Sequence, residues 1–123
     1  MIRGIGTDII EVERIKGICE KYGQKFLDRI FTKEEQEYCD SFNDTKYVHY
    51  AARFAMKESF SKAIGTGLTQ GFKFTEIGIV NKDSGEPEVI LTGSMHEKWG
   101  KYKIQVSLSH TRENAVAFLI MLD

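Results

Sequence analysis

Residues 44–65, DTKYVHYAARFAMKESFSKAIG, form the longest helical pattern in the chain. At about 100° per residue, Ala52, Met56, Phe60, Ala63 and Ile64 gather on one side and predict a core-facing stripe. Lys57, Glu58, Ser61 and Lys62 spread over the other side. Ala51, Ala55 and Ser59 border Glu58 and Lys62, and none is bulky, so something could approach the charged strip closely. Asp44 or Thr45 is placed to cap the helix start. Gly65 fits a left-handed C-cap, and Gly67 lets the chain reverse.

Upstream, MIRGIGTDII (1–10) mixes β-branched residues with Gly4 and Gly6, which predicts a strand with a close backbone approach or a bend. EVERIKGICEKYG then carries Val12, Ile15, Ile18, Cys19 and Tyr22 at helical spacing. A short helical pattern through Phe26–Phe31 follows. TKEE (32–35) fits a capping box that starts a third helix, ending near Cys39. Downstream, the character changes. FKFTEIGIV (72–80) alternates like a strand, NKDSGEP supplies a turn, and EVILT (88–92) returns. GSMHEKWG (93–100) reads as a short helix capped by Thr92 or Ser94. KIQVSLS (103–109) and AVAFLIML (115–122) are two further strands joined by HTREN. One strand, several helices and two hairpins predict an α+β fold, a mainly antiparallel sheet packed against a long central helix.

The 123 residues favour one domain spanning 1–123. A net charge of −1, from 17 basic and 18 acidic residues, argues against bulk attraction to nucleic acid. An anionic ligand must therefore be held by a local cluster. Two cysteines, Cys19 and Cys39, are too few for a disulfide framework and read as reduced thiols. No apolar run approaches a membrane span, so a cytoplasmic location without membrane attachment is expected.

Several residues admit two readings. Glu58 and Lys62, at i and i+4, fit a surface ion pair or part of a site. Asp8, near a strand end, fits a turn or helix cap, or a metal ligand working with a distant Glu. His110 fits a solvated loop residue or, with Thr111, a phosphate donor. The GTG at 65–67 follows a helix instead of preceding one, so it is not a phosphate loop. His49, His96 and His110 lack zinc-ligand spacing.

Three segments, GIGTDIIEVERI, RFAMKESFSKAIGTG and VSLSHTRENAVAFLI, closely resemble the holo-[acyl-carrier-protein] synthase family of short 4′-phosphopantetheinyl transferases. The second resembles the family signature K-E-[AS]-x-x-K-A-x-G-T-G. The resemblance implies transfer of 4′-phosphopantetheine from coenzyme A to a serine of apo-acyl carrier protein, in support of fatty acid biosynthesis. It implies Mg²⁺ held by Asp8 and Glu58, with Lys62 on the coenzyme A diphosphate and these three residues catalytic. It also implies His110 and Thr111 near the 3′-phosphate, Arg53 and Gly65 as further coenzyme A contacts, and Arg14 facing the carrier. Family members of this length are homotrimers with sites between subunits. Longer relatives carry a second acid where this chain has Ile10. No side chain stands out as the general base; a metal-bound or Glu58-held water fits. A coenzyme A-binding module without transfer activity is the alternative, although two carboxylates near phosphates give a mere anion binder no advantage. Phe72, Phe74, Ile104, Val106 and Phe118 are candidates for the subunit interface.

Overall fold

The computed structural model describes residues 1–123. Strand β1 (Ile2–Glu11) leads into helices α1 (Val12–Tyr22), α2 (Gln24–Ile30), α3 (Lys33–Asp40) and α4 (Lys46–Ala63). A single 3₁₀ turn (Phe74–Glu76) opens the hairpin of β2 (Ile77–Asn81) and β3 (Pro87–Leu91). Helix α5 (Gly93–Trp99) precedes β4 (Lys103–His110) and β5 (Asn114–Leu122). The strands form two antiparallel sheets: a three-stranded one in the order β1-β5-β4, and the separate β2-β3 hairpin. The fold is α+β, as the element order predicts, but the strands do not join into one sheet.

Helix α4 packs on the β1-β5-β4 sheet. Ala52, Met56, Phe60 and Ala63 of α4 and the following Ile64 are buried in one core with Ala115, Ala117, Leu119 and Met121 of β5. The seat is close because β1 offers glycine where α4 crosses it. A Cβ at Gly6 would strike the carbonyl oxygen of Ser59, and one at Gly4 that of Ala63. Ala51, Ala55 and Ser59 are themselves fully buried. The small residues beside the charged strip therefore serve helix–sheet contact, not ligand space. The Ser59 hydroxyl lies within hydrogen-bond distance of the Ala117 carbonyl, at 3.2 Å.

On its other side, α4 is held by a buried ion pair. Lys57 and Glu35 have fully inaccessible side chains, with Nζ and Oε1 2.7 Å apart. Lys57 also donates to the carbonyls of Ile30 (2.8 Å) and Phe74 (2.9 Å), so all three ammonium hydrogens are used. Glu35 completes the capping box with Thr32 and accepts from the Ile79 amide at 3.1 Å. One pair thus ties α4 to the ends of α2 and α3, the 3₁₀ turn and β2. Lys57 and Ser61, placed by periodicity on the side away from the core-facing stripe, are both buried as well. Arg53, Lys57, Phe60 and Ile64 share a stripe at i, i+4, i+7 and i+11, all within the packed part of the helix.

Other differences have local causes. Neither Asp44 nor Thr45 caps α4 through a side chain. The strand expected from residue 72 begins at Ile77, because Phe72 and Phe74 turn inward, Phe74 stacking on Phe54 and Phe72 resting near Phe60. Thr92 and Ser94 do not cap α5 themselves; Glu76 accepts from the Ser94 hydroxyl and the Met95 amide instead. Gly65, at φ 85°, and Gly67, at φ 60°, end α4 in the left-handed conformation expected of them. Cys19 and Cys39 are free and buried, and burial pushes their thiols up to about 11 and about 12.

Two substitutions test this frame. Lys57→Met leaves Glu35 buried without its cation and should cost about 3–5 kcal/mol in chemical denaturation; a loss near zero would contradict the role of the pair. Gly6→Ala lifts α4 from β1 and should cost about 1–3 kcal/mol by overpacking, read in the same experiment.

Candidate active site

Folding brings Asp8, Glu58 and Lys62 together with Arg14. Asp8 lies on β1 opposite Ala117, on the face that carries α4. Lys62 Nζ donates to Asp8 Oδ1 at 3.1 Å and to the Thr7 carbonyl at 2.8 Å. The ion pair therefore joins helix to strand; Glu58 and Lys62 do not pair with each other. Asp8 is 17% exposed and Lys62 53%. Burial pushes the Glu58 carboxyl above the usual glutamate range, and the Asp8 charge adds to this, against weaker pulls from Lys62 and Arg14. Two mutually repelling carboxylates thus stand under two cations. Their hard oxygens suit Mg²⁺, and no third acidic, histidine or cysteine ligand joins them. Such an ion would complete its shell with phosphate oxygens and water. Gly65 follows one turn later, its amide donating to the Lys62 carbonyl at 3.1 Å, and the space where a side chain would project is open.

His110 and Thr111 sit elsewhere. His110 is the last residue of β4, paired with Ala115, not a loop residue past the strand. It lines a cleft of about 540 Å³ with Thr111, Lys16, Arg112, Thr45 and Tyr47. The Thr111 hydroxyl accepts from the amides of Glu113 and Asn114 and so shapes the β4–β5 turn. On its other side His110 meets His49, ring centres 5.8 Å apart, and His49 stacks on Phe42 at 3.8 Å. Arg53 is buried beyond this cluster, its guanidinium 4.2 Å over the Tyr38 ring and 3.2 Å from Asn81 Oδ1, with Nε unpartnered. Burial and the charges of Arg53 and His110 push His49 below the usual histidine range.

The structure thus separates the expected residues into two groups. His49 and Glu58 are nine positions apart on α4, about half a turn around the helix. Glu58, Lys62 and Asp8 occupy one flank of α4; His49, Arg53 and His110 occupy the other. In the sheet, Asp8 lies on one edge strand and His110 on the opposite one. Arg14 is exposed near Glu58, whereas Lys16 turns toward the His110 cleft, so the two do not form one basic face. Sequence pattern gives His49 and Lys57 no place in either group. The spacing of His49 to Arg53, and of Lys57 to Phe60 and Ile64, carried the available signal.

The fold has known counterparts. Residues 4–119 match the model of the 4′-phosphopantetheinyl transferase superfamily, and the chain belongs to that family. Its relatives include the holo-[acyl-carrier-protein] synthase of Ruminiclostridium cellulolyticum, 48% identical over 120 residues, covering 95% of this chain and 90% of the relative. The crystal structure of the holo-[acyl-carrier-protein] synthase from Neisseria meningitidis matches with a TM-score of 0.88 at 35% identity, covering 100% of both chains. That of the Bacillus anthracis synthase, in complex with CoA (3′,5′-ADP), matches with a TM-score of 0.84 at 35% identity, covering 98% and 96%.

A carboxyl held up like that of Glu58 binds more protons folded than unfolded, from the ordinary glutamate value of about 4.3 up to its folded value. Its stabilising contribution is lost as pH rises through that window, and ionised Glu58 costs stability at neutral pH. Glu58→Gln should therefore melt no lower than wild type at pH 7 without metal, the advantage shrinking toward pH 4. A lower melting temperature at pH 7 would refute this account of the site.

Proposed function

We propose that this chain, acting as one domain, transfers 4′-phosphopantetheine from coenzyme A to a serine hydroxyl of an apo-acyl carrier protein. The serine hydroxyl gives its proton to a metal-bound or Glu58-held water, its oxygen forms a bond to the pantetheine-bearing phosphorus, the bond to the bridging diphosphate oxygen breaks, and adenosine 3′,5′-bisphosphate leaves with that bond's electron pair. The observation that carries this is the meeting of Asp8, Glu58 and Lys62 on one flank of α4, in a fold whose relatives are holo-[acyl-carrier-protein] synthases. Asp8 and Glu58 would hold Mg²⁺, which supplies charge neutralisation at the diphosphate. Lys62 places a positive charge where the leaving bisphosphate gains negative charge, the usual means of accelerating phosphoryl transfer. His110 and Thr111, with Arg53 behind them, bind the 3′-phosphate. Gly65 allows the ligand close to the end of α4. Arg14, exposed beside Glu58, meets the carrier.

The separation of the two groups supports an assembly with its sites between subunits. One ribose links the diphosphate and the 3′-phosphate of coenzyme A, yet α4 stands between the two groups within one chain. A single ligand reaches both when they come from different subunits, as in a homotrimer. The sheet face away from α4 supplies an interface: Ile5 is 58% exposed, Ile9 65% and Phe118 44%, with Val116 and Ile120 beside them. Of the five interface candidates, only Phe118 lies there. Phe72 and Phe74 pack inside, and Ile104 and Val106 lie on the α4 side of β4. No helix is long and apolar enough to cross a membrane.

Incubation with coenzyme A, Mg²⁺ and apo-carrier should raise the carrier mass by one phosphopantetheine. An unmodified carrier, with coenzyme A bound independently of Mg²⁺, would indicate a binding module instead. Asp8→Ala, Glu58→Ala and Lys62→Ala should each lose most turnover, on the order of 10²-fold or more, while melting cooperatively. Ile9→Asp should reduce the mass seen by light scattering and the activity together.

A further inference from the structure

We propose that Lys62 serves two partners in turn: it holds Asp8 in the free enzyme and leaves it for the coenzyme A diphosphate, which couples divalent-cation binding to coenzyme A binding. This rests on the reading that Asp8 and Glu58 hold a divalent cation. Three observations carry it. First, Lys62 pairs with Asp8 and not with Glu58, its natural i−4 partner on the helix, so its head group is drawn across to the strand. Second, the contact uses Asp8 Oδ1, an oxygen of a carboxylate that is only 17% exposed, and the Thr7 carbonyl steadies the ammonium there at 2.8 Å. Third, the Lys62 side chain is 53% exposed, so its flexible stem can swing without disturbing the core.

Mg²⁺ binds a carboxylate oxygen at about 2.0–2.1 Å. An ammonium 3.1 Å from the same oxygen would stand against it as a like charge. In the free enzyme Lys62 is thus a competitor for the metal. Once the diphosphate arrives, it offers the ammonium a more highly charged partner, and Asp8 is released to the cation. The coupling is reciprocal, so the cation also favours coenzyme A.

The test measures Mn²⁺ binding by electron paramagnetic resonance, with and without coenzyme A and with no carrier present. Wild type, Lys62→Met and Asp8→Asn are compared after their melting curves show folded protein. Lys62→Met should bind Mn²⁺ alone on the order of fivefold more tightly than wild type. The tightening of Mn²⁺ by coenzyme A should shrink by a similar factor in this variant. If Lys62→Met binds Mn²⁺ alone no more tightly than wild type, including no detectable binding in either, the proposal is overturned. If it binds more tightly but coenzyme A strengthens Mn²⁺ equally in both proteins, Lys62 is a fixed repulsive charge and the exchange is again refuted. Mn²⁺ affinity unchanged in Asp8→Asn would instead overturn the underlying metal reading.

Discussion

The contact on which the site depends is the seat of α4 on β1. Because Gly4 and Gly6 carry no side chain, the helix backbone at Ser59 and Ala63 rests directly on the strand. That closeness lets an aspartate on β1 reach the ammonium of a lysine on α4. A bulkier strand would hold the helix further away and leave Asp8 and Lys62 separately solvated. Directed packing, here by glycine, is what turns three ordinary charged residues into one electrostatic unit.

The buried Lys57–Glu35 pair fixes the opposite side of the same helix. Burial, with a smaller push from the Arg53 charge, holds the Lys57 ammonium below the usual lysine range, and Glu35 opposes this. A charge in such a place is tolerated only with every hydrogen bond made, and here all are. Directional bonds from Lys57 to two carbonyls and a carboxylate resist rotation and sliding of α4 in a way apolar contacts do not. Glu58, the next residue, is thereby kept on the flank that faces Asp8.

The two charged groups flanking α4 differ in character. Near Asp8, opposite charges meet half in solvent, and the lysine can move. Around His49, Phe42 stacks on the ring while Tyr38 and His110 meet it edge-on, and the Arg53 guanidinium lies over Tyr38. The first group suits a metal and a diphosphate, which must enter and leave. The second, more enclosed, suits a single phosphate. Their separation by a helix gives the exposed sheet face of Ile5, Ile9 and Phe118 its place in the functional reading, because an intersubunit site requires such a face.

Much of this was legible in the chain. The apolar spacing of Ala52, Met56, Phe60 and Ile64 determined a helix and its buried side, the Thr32–Glu35 box determined where α3 begins, and Gly65 determined where α4 ends. Each depends on local geometry, which periodicity and single-residue preferences record. The candidate residues were also legible, as a motif. What the sequence by itself did not determine was partnership. Lys57 looked like a solvent lysine because its partner Glu35 belongs to another helix. Ala55 looked like room for a ligand because the strand that fills it lies far away in sequence. Glu58 and Lys62 looked like a pair, yet Lys62 joins Asp8. Tertiary structure alone decided these matters, because a charged group takes the partner that packing brings within a few ångströms, and chain distance does not set that separation.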